Sequence, residues 1–141
     1  MNDVYETQIR VRYRDCDQQG VVHHTLYGVY FEIGRTEMFR QMNGGFTYRD
    51  FEQAGYMFVV VSLNCKFHKP ARYDDLLTVK TRLGKVTRVK IELLYEIFRG
   101  DELLTTGSTV LATINRTGSI LPVPDSIARA SAARNSESSQ L

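Results

Sequence analysis

Hydrophobic and polar residues follow two different periods along the N-terminal part of the chain. Over residues 5–13, apolar side chains alternate with arginines, which is typical of a half-buried strand. Over residues 25–42, the apolar side chains recur at helical spacing, which predicts one long helix. We expect Thr25 to cap the start of this helix and Gly44 and Gly45 to end it.

The pattern after this helix is mainly that of strands. A short polar helix is predicted at residues 48–54. The predicted strands that follow it cover residues 58–67, 76–83, 90–99 and 103–115. Because the gaps between them are too short for parallel crossovers, these strands should pair antiparallel. The pattern therefore predicts an α+β fold, in which an antiparallel sheet of five to six strands wraps around one long helix.

Two features of this pattern concern how the helix and the sheet are covered. Gly28 and Gly34 lie inside the predicted helix, where each costs about 1 kcal/mol relative to alanine. These small residues would let a sheet approach the helix backbone closely. The outer face of the curled sheet would keep apolar residues, namely Val59, Val61, Leu94 and Leu104. An apolar outer face favours pairing with a second copy, so we expect a dimer rather than a monomer.

Length and composition are those of one ordinary globular domain. The chain has 141 residues, of which 43% are hydrophobic and 24% are charged. Its net charge of +2 is too balanced for a nucleic-acid binder. No apolar run reaches the roughly 18 residues that span a bilayer, and the N-terminus lacks a signal-peptide core, so we expect a cytoplasmic protein. We expect one domain over residues 1–125 and a tail over 126–141 that is a short helix or disordered.

The cysteines and glycines exclude several kinds of site. Cys16 and Cys65 form neither a disulfide framework nor a CxxC pair, and the four-ligand spacing of a structural zinc site is missing. The nearest approaches to a Gly-rich phosphate loop, Gly44-Gly45 and Gly100, are isolated turn glycines, so nucleotide-dependent chemistry has no support. The sequence therefore predicts neither a metal nor a resident cofactor.

Functional side chains are densest where the first strand joins the long helix. The cluster consists of Tyr13, Asp15, Cys16, Asp17, His23 and His24. The start of a helix presents unpaired backbone N–H groups and a partial positive charge, so it can hold a developing oxyanion. Asp17 together with the N–H groups near His24 would form a minimal hydrolase, with a base or nucleophile beside an electrophilic clamp.

Each of these residues also has a simpler interpretation. Asp17 could be only a turn former or a helix cap, His23 and His24 a surface pair, and Tyr13 a strand residue that packs on the sheet. Cys16 could be a nucleophile with one of the histidines as its base. Aspartates on both sides of this cysteine would raise the pKa of its thiol, which argues against that role.

A metal site at the same place is also possible in principle. The pattern Asp-x-Asp-x-Gln-Gly resembles the start of a calcium-binding EF-hand loop, but Leu26 occupies the position of the bidentate glutamate. Asp15, Asp17 and His24 could hold a divalent ion, although no further ligand follows at a defined spacing. Calcium is excluded, and a divalent ion is disfavoured.

Three blocks of sequence carry a resemblance to a known family. They are VRYRDCDQQGVVHHTLY at 11–27 with YFE at 30–32 and RTE at 35–37, NCKFHKPARYDD at 64–75, and ATIN at 112–115 with LPVP at 121–124. Together they resemble the hotdog-fold acyl-CoA thioesterases, closest to the YbgC-type and 4-hydroxybenzoyl-CoA thioesterase branch. The resemblance covers about residues 5–125 and is most specific in the first block.

The resemblance implies roles for three residues of the first block. Asp17 would be the catalytic carboxylate, with Tyr13 and His24 as its companions. The backbone N–H at about His24 would polarise the thioester carbonyl. Asp15 matches an acidic position that the family needs less strictly, so we assign it no catalytic role. Whether Asp17 attacks the carbonyl or activates a water is left open, because a coenzyme A thiolate leaves without a strong general acid.

Coenzyme A carries phosphates, which need positive groups at the mouth of the site. Lys85, Arg88 and Lys90 are the best candidates. A second basic group consists of Lys66, His68, Lys69 and Arg72. Basic residues on a sheet edge could instead only deter aggregation.

The function implied is hydrolysis of an acyl-CoA thioester, with coenzyme A as part of the substrate and no other cofactor. The alternatives are an acyl-carrier-protein thioesterase and a non-catalytic acyl-CoA-binding protein. The acyl group would lie against the helix and a second copy, near Tyr27, Phe31, Phe58 and Val59. The family resemblance also implies a homo-oligomer, either a dimer or a tetramer.

Overall fold

One antiparallel sheet and one long helix make up most of the structure, a computed structural model that describes residues 3–42 and 47–139. The strands are β1 (Tyr5–Arg10), β2 (Met57–Phe67), β3 (Leu76–Val86), β4 (Lys90–Arg99) and β5 (Glu102–Ile114). The helices are a short 3-10 helix (Tyr13–Asp15), α1 (Leu26–Met42), α2 (Tyr48–Gln53) and α3 (Asp125–Ser139). Among the residues that the structure describes, no helix is both long enough and apolar enough to span a membrane.

The sheet order places the first two strands of the chain at opposite edges. Its five strands run in the order β1-β3-β4-β5-β2, and every neighbouring pair is antiparallel. The predicted α+β fold is thereby confirmed. Because neighbours alternate in direction, β2 ends and β3 begins at one end of the sheet, whereas the turn between β3 and β4 lies at the other end.

The core lies between α1 and the concave face of the sheet. On the helix, the side chains of Tyr30, Phe31, Met38 and Phe39 are at most 1% exposed. The sheet side chains that cover them include Leu77, Val79, Ile91, Leu93, Tyr95 and Ile97. The ring of Phe31 stacks on that of Tyr95 with a centroid distance of 4.3 Å. Burial of this apolar area is the main force that holds α1 on the sheet.

Two glycines allow the close contact between α1 and the sheet. A Cβ at Gly34 would lie 2.6 Å from Thr81 Oγ1, and one at Gly107 on β5 would lie 2.5 Å from the ring of Phe31. Both distances are too short for a real side chain, so these positions need glycine. Gly28 differs, because a Cβ there would only touch Leu63 at 3.7 Å. The expected close approach of the sheet therefore holds at Gly34 and not at Gly28.

The first strand is shorter in the structure than the sequence pattern predicts. β1 ends at Arg10, and Tyr13 lies in the 3-10 helix instead of in a strand. The physical reason is local: the Asp15 carboxylate accepts the backbone N–H of Arg12 at 3.0 Å, which turns the chain before the alternating pattern ends. Helix α1 begins at Leu26, one residue after the expected cap. The predicted stop at Gly44 and Gly45 lies outside the described residues.

The segment after Pro124 forms α3. Ile127 is fully buried against the core, and Val123 just before the helix donates its N–H to the carbonyl of Arg88 at 2.7 Å. The first turns of α3 therefore pack on the same core as the sheet.

The edge strand β2 is unusually apolar and exposed. Val60, Val61, Leu63 and Phe67 are each about half exposed, between 48% and 53%. A bulge between Val60 and Ser62 shifts the register against β5. The predicted apolar outer face is present at Val59, Val61 and Leu94, which are 38%, 52% and 36% exposed, whereas Leu104 is fully buried. The exposed apolar surface is thus concentrated along β2.

Candidate active site

A small hairpin carries the acidic motif to the start of α1. Cys16 and Val22 form an antiparallel bridge, and the Asp17 N–H donates to the carbonyl of Val21 at 2.9 Å. The turn closes when Gly20 donates its N–H to the carbonyl of Asp17 at 3.0 Å. Gly20 has a φ of +81°, a conformation that favours glycine. This hairpin fixes the backbone of Asp17.

The Asp17 carboxylate is half-buried and only partly used by the turn. Its Oδ1 accepts the backbone N–H of Gln19 at 2.8 Å, as a turn-forming aspartate does. Its Oδ2 has no hydrogen-bond partner among the described residues. Asp17 therefore does shape the turn, and one of its carboxylate oxygens stays available.

Asp17 borders a cavity of about 320 Å³ together with His24. The apolar part of its lining includes Val22, Tyr27 and Phe67. Tyr27 and Phe67 meet edge to face, with ring centroids 5.0 Å apart. The predicted catalytic pair Asp17 and His24 thus shares one cleft with an apolar wall.

Asp17 also borders a second cavity, of about 590 Å³. This cavity is lined by Tyr13, Cys16, Gln18, Gly20 and Tyr73. The Tyr13 side chain is 81% exposed, and its ring meets that of Tyr73 edge to face at 5.5 Å. Asp17 consequently lies between two cavities, with His24 on one side and Tyr13 on the other.

The two histidines differ in their surroundings. A hydrogen bond of 2.7 Å joins His23 Nδ1 to the Thr25 hydroxyl, so this ring is used to shape the start of α1. The His24 side chain is exposed, and its ring lies 4.3 Å from that of His23. The backbone N–H of His24 has no acceptor within residues 3–42 and 47–139. It is the unpaired donor that the sequence predicted at this position.

Cys16 is not set up as a nucleophile. Burial raises the pKa of its thiol, and the charges of Asp15 and Asp17 raise it further. The sulfur only makes a long contact of 3.9 Å to the carbonyl of Arg12. A thiol with a raised pKa is a poor source of thiolate.

The acidic cluster does not form a metal site in the part of the chain that the structure describes. There, no group of three or more His, Cys, Asp or Glu residues could hold a metal ion. Both oxygens of Asp15 are occupied by Arg12, and one of them also by Tyr30. Asp15 is thus not available as a ligand beside Asp17.

The predicted phosphate-binding residues lie at the opposite end of the sheet from Asp17. Lys85, Arg88 and Lys90 are exposed around the turn between β3 and β4. β3 starts four residues after Arg72, which pairs with Val21 beside Asp17. Its length of 11 residues separates the two ends by about 30 Å. One chain therefore does not bring these basic residues to Asp17.

The second basic group lies nearer to Asp17. His68 and Lys69 border the same cavity as Asp17 and His24. The Lys69 ammonium is paired with Glu102 at 2.8 Å, and His68 Nε2 lies 3.1 Å from the Thr106 hydroxyl. Both side chains thus already have a polar partner within the chain.

Several residues that line the two cavities were not singled out from the sequence as site residues. They are Val21, Val22, Phe67, Pro70 and Tyr73. Their placement depends on a tertiary contact, in which Val22 donates its N–H to the carbonyl of Ala71 at 2.8 Å. The only sequence signal was that the block at 64–75 belongs to the same family pattern as the block at 11–27.

Residues 19–106 match the family model described as the thioesterase superfamily, which is more than half of the chain. The chain belongs to this superfamily. It is therefore a thioester hydrolase, and the resemblance stated from the sequence is confirmed. The matched range contains His24 and starts two positions after Asp17.

Relatives of this thioesterase are similar over most of its length. It is 32% identical to the acyl-CoA thioesterase YbgC of Haemophilus influenzae, over 87% of this chain and 89% of that protein. It is 29% identical to the acyl-CoA thioester hydrolase YbgC of Escherichia coli O157:H7, over 77% of this chain and 79% of that protein. Among solved structures, the DHNA-CoA thioesterase of Staphylococcus aureus superposes with a TM-score of 0.84 at 30% identity, covering 95% of both chains. The predicted hotdog fold is confirmed.

Proposed function

We propose that this thioesterase hydrolyses acyl-CoA, with Asp17 as nucleophile or general base and the His24 N–H as the group that polarises the carbonyl. The observation that supports this proposal best is the free Asp17 Oδ2 between two cavities. A thioester has two arms on either side of its carbonyl, and the two cavities offer a place for each. The names of the YbgC relatives support acyl-CoA as the substrate.

Two routes are compatible with a single carboxylate. In the first, Asp17 Oδ2 bonds to the carbonyl carbon, the C–S bond breaks, and coenzyme A leaves as a thiolate. The mixed anhydride that remains is then hydrolysed by water. In the second, Asp17 takes a proton from a water whose oxygen bonds to the same carbon as the C–S bond breaks. A thiol pKa near 8.5 makes the thiolate a good leaving group in both routes.

The backbone N–H of His24 would stabilise the oxyanion in either route. It is unpaired among the described residues, and it lies at the start of a 17-residue helix whose partial positive charge favours an anion there. No hydrogen bond joins the His24 ring or the Tyr13 hydroxyl to Asp17 in the described part of the chain. We therefore assign these two side chains to contacts with the substrate.

A homo-oligomer formed through β2 would complete the site. As an edge strand, β2 has unpaired backbone groups on one side, and its apolar side chains are exposed. A second copy that pairs its own β2 antiparallel would extend the sheet from five strands to ten. The two-fold symmetry would turn the second copy around, so that its β3–β4 turn lies at the Asp17 end of the first copy.

The spacing between strands gives the distance from β2 of one copy to the basic residues of the second copy in such a dimer. From β2 of one copy to β4 of the other there are three strand spacings, or about 15 Å. Lys85, Arg88 and Lys90 of the second copy would face the phosphates of a coenzyme A whose thioester lies at Asp17. The proposed dimer thus joins two groups that lie about 30 Å apart in one chain.

The test of the proposed function compares two aspartate variants. Asp17→Asn keeps the shape of the turn and removes the charge, so we expect kcat for acyl-CoA to fall by about 10³-fold or more, as when a catalytic group is lost. Asp101→Asn, in an exposed turn between β4 and β5, should keep the activity of the wild type. Release of free thiol from acyl-CoA substrates of different length and aromaticity is measured at steady state.

The outcomes separate the proposal from its alternatives. An unchanged kcat in the Asp17→Asn variant would exclude this carboxylate from the chemistry. Hydrolysis of acyl-carrier-protein thioesters in preference to acyl-CoA would favour the first alternative. Binding of acyl-CoA by the wild type without any thiol release would favour a non-catalytic role. The choice between dimer and tetramer, the cytoplasmic location and the lack of a resident cofactor all stay predictions.

A further inference from the structure

Asp15 is a buried carboxylate that the proposed chemistry does not use. Only 1% of its surface is exposed. Its Oδ1 accepts a hydrogen bond from Arg12 Nη2 at 2.8 Å, and its Oδ2 accepts the Arg12 backbone N–H at 3.0 Å and the Tyr30 hydroxyl at 2.9 Å. A charged group that is this well bonded holds its neighbours strongly in place.

Asp15 connects the Asp17 hairpin to the start of α1 in two ways. Its backbone carbonyl accepts the N–H of His23 at 2.9 Å, which closes the base of the hairpin. Its side chain reaches Tyr30, which is 1% exposed and lies on α1 one turn after Tyr27. Tyr27 is itself part of the cavity that Asp17 borders.

Tyr30 therefore joins the hairpin to α1, which begins two residues after His24. Asp17 is two residues from Asp15 along the hairpin, and His24 is one residue from His23 at its other end. The Asp15–Tyr30 hydrogen bond is the direct side-chain link between this hairpin and the interior of α1 in the described residues.

The charge state of Asp15 is compatible with this role. Burial raises the pKa of the carboxyl, but the hydrogen bonds from Arg12 and Tyr30 outweigh it and hold the pKa below its ordinary value. Asp15 is therefore ionised at neutral pH. On the Tyr30 side, burial and the bond to Asp15 raise the pKa of the phenol, so Tyr30 keeps the proton that it donates.

We propose that Asp15 and Tyr30 are positioning residues that set the placement of the Asp17 carboxylate relative to the His24 N–H. The effect on catalysis rests on the proposed function. Nucleophile and oxyanion donor must be aligned to a fraction of an ångström, and a misplacement of about 1 Å can cost about 100-fold in rate. Neither residue touches the cavities in this arrangement.

The test removes one hydroxyl in each of two buried tyrosines. Tyr30→Phe deletes the bond to Asp15. Tyr95→Phe is the matched control, because Tyr95 is 2% exposed and its hydroxyl pairs with Thr109 at 2.6 Å in the middle of the sheet. We expect kcat of Tyr30→Phe to fall about 10- to 100-fold with KM nearly unchanged. Tyr95→Phe should keep kcat, although it also removes a hydrogen-bonded hydroxyl from the core.

A second measurement does not depend on activity. Amide hydrogen exchange at Asp17, Gly20 and His23 reports the hairpin bonds directly. We expect faster exchange at these amides in Tyr30→Phe and wild-type exchange in Tyr95→Phe. This readout stands even if the wild type hydrolyses no acyl-CoA, which would defeat the proposed function alone.

Two results would overturn the positioning role. One is exchange at the three hairpin amides that is the same in Tyr30→Phe as in the control. The other is a loss of kcat in Tyr30→Phe no larger than that in Tyr95→Phe, since this would show a general effect on stability.

Discussion

The two ends of the sheet differ in what they offer to a substrate. At the Asp17 end, a hydrogen-bonded hairpin, two cavities and the start of α1 come together, and Lys69, which borders one of the cavities, is already paired with Glu102. At the β3–β4 end, Lys85, Arg88 and Lys90 are exposed and have no ion-pair partner among the described residues. One chain thus holds the proposed chemistry at one end and the proposed phosphate contacts at the other. Two antiparallel copies would hold two complete sites.

Among the changes that test this difference between the two ends, the largest effect should come from separating the copies. Val61 is 52% exposed on the edge strand β2, and a lysine at an edge opposes pairing with another strand. We expect Val61→Lys to sediment as a monomer and to lose acyl-CoA hydrolysis by about 100-fold or more, because each site would lose both the basic residues and the acyl-binding surface of the second copy. Analytical ultracentrifugation and thiol release are measured on the same preparation.

The control for this variant is Val4→Lys. Val4 is 40% exposed just before β1, at the opposite edge of the sheet from β2. It should leave both assembly and activity as in the wild type. A fully active Val61→Lys monomer would show that one chain forms a complete site.

A smaller effect is expected from removing basic residues at the β3–β4 end of the sheet. Arg88→Ala combined with Lys90→Ala should raise KM for acyl-CoA about 10-fold and spare kcat, because phosphate contacts far from the carbonyl contribute mainly to binding. Arg49→Ala, an exposed cation on α2, is the control. An unaltered KM would exclude these residues from the site.

A mixing experiment tests whether one site takes Asp17 from one copy and Arg88 and Lys90 from the other. Asp17→Asn is coexpressed with the Arg88→Ala and Lys90→Ala double variant and assayed at substrate concentrations well below KM. If sites are shared, each mixed dimer has one site free of both changes, and about a quarter of the wild-type activity should return. Activity equal to the mean of the two separate variants would show that each site belongs to one chain.

The smallest effect is expected in the free energy of unfolding at acid pH, through Asp15 at the Asp17 end of the sheet. Because the pKa of Asp15 is lowered in the folded protein, its contribution is fully present above the ordinary carboxyl pKa and is lost as the pH falls through the lowered value. A bond to a charged group contributes about 1–3 kcal/mol, so wild type should exceed Asp15→Asn by about that much at pH 7. Urea unfolding from pH 7 down to pH 3 should show this difference shrinking, and a constant difference would contradict it.

Much of the fold follows from hydrophobic periodicity alone. β4 was predicted over the same residues, and α1 within one residue at its start, because both have long apolar patterns that match their period. The end of β1 could not be predicted, since alternation continues past Arg10 while the Asp15 carboxylate turns the chain. Leu104 was misplaced because it is the extra residue of a bulge in β5: Thr105 lies opposite Ile97 and Leu103 opposite Phe98. A bulge changes which face a strand residue presents, and the alternating pattern does not reveal it.

Only those site residues that lie close together in the sequence could be predicted. Asp17, His24 and Tyr13 lie close in sequence and also close around one pair of cavities. Tyr73 and Phe67 join them through tertiary contacts such as that of Val22 with Ala71, which no local pattern reveals. Asp15 shows the opposite case, because its acidic character made it a possible metal ligand, whereas its contacts show a carboxylate saturated by Arg12 and Tyr30.

The missing side chain at Gly107 has a consequence for how this enzyme could be altered. Phe31 occupies the space where a Cβ would stand, 2.5 Å from its ring and 2.7 Å from the carbonyl oxygen of Asn64. The lack of a side chain at this position therefore sets how closely α1 approaches the sheet. Gly107→Ala would push Phe31, and α1 with it, away from the sheet. The distance between the first turn of α1 and the acidic loop would then increase, without any change in the residues that face the substrate.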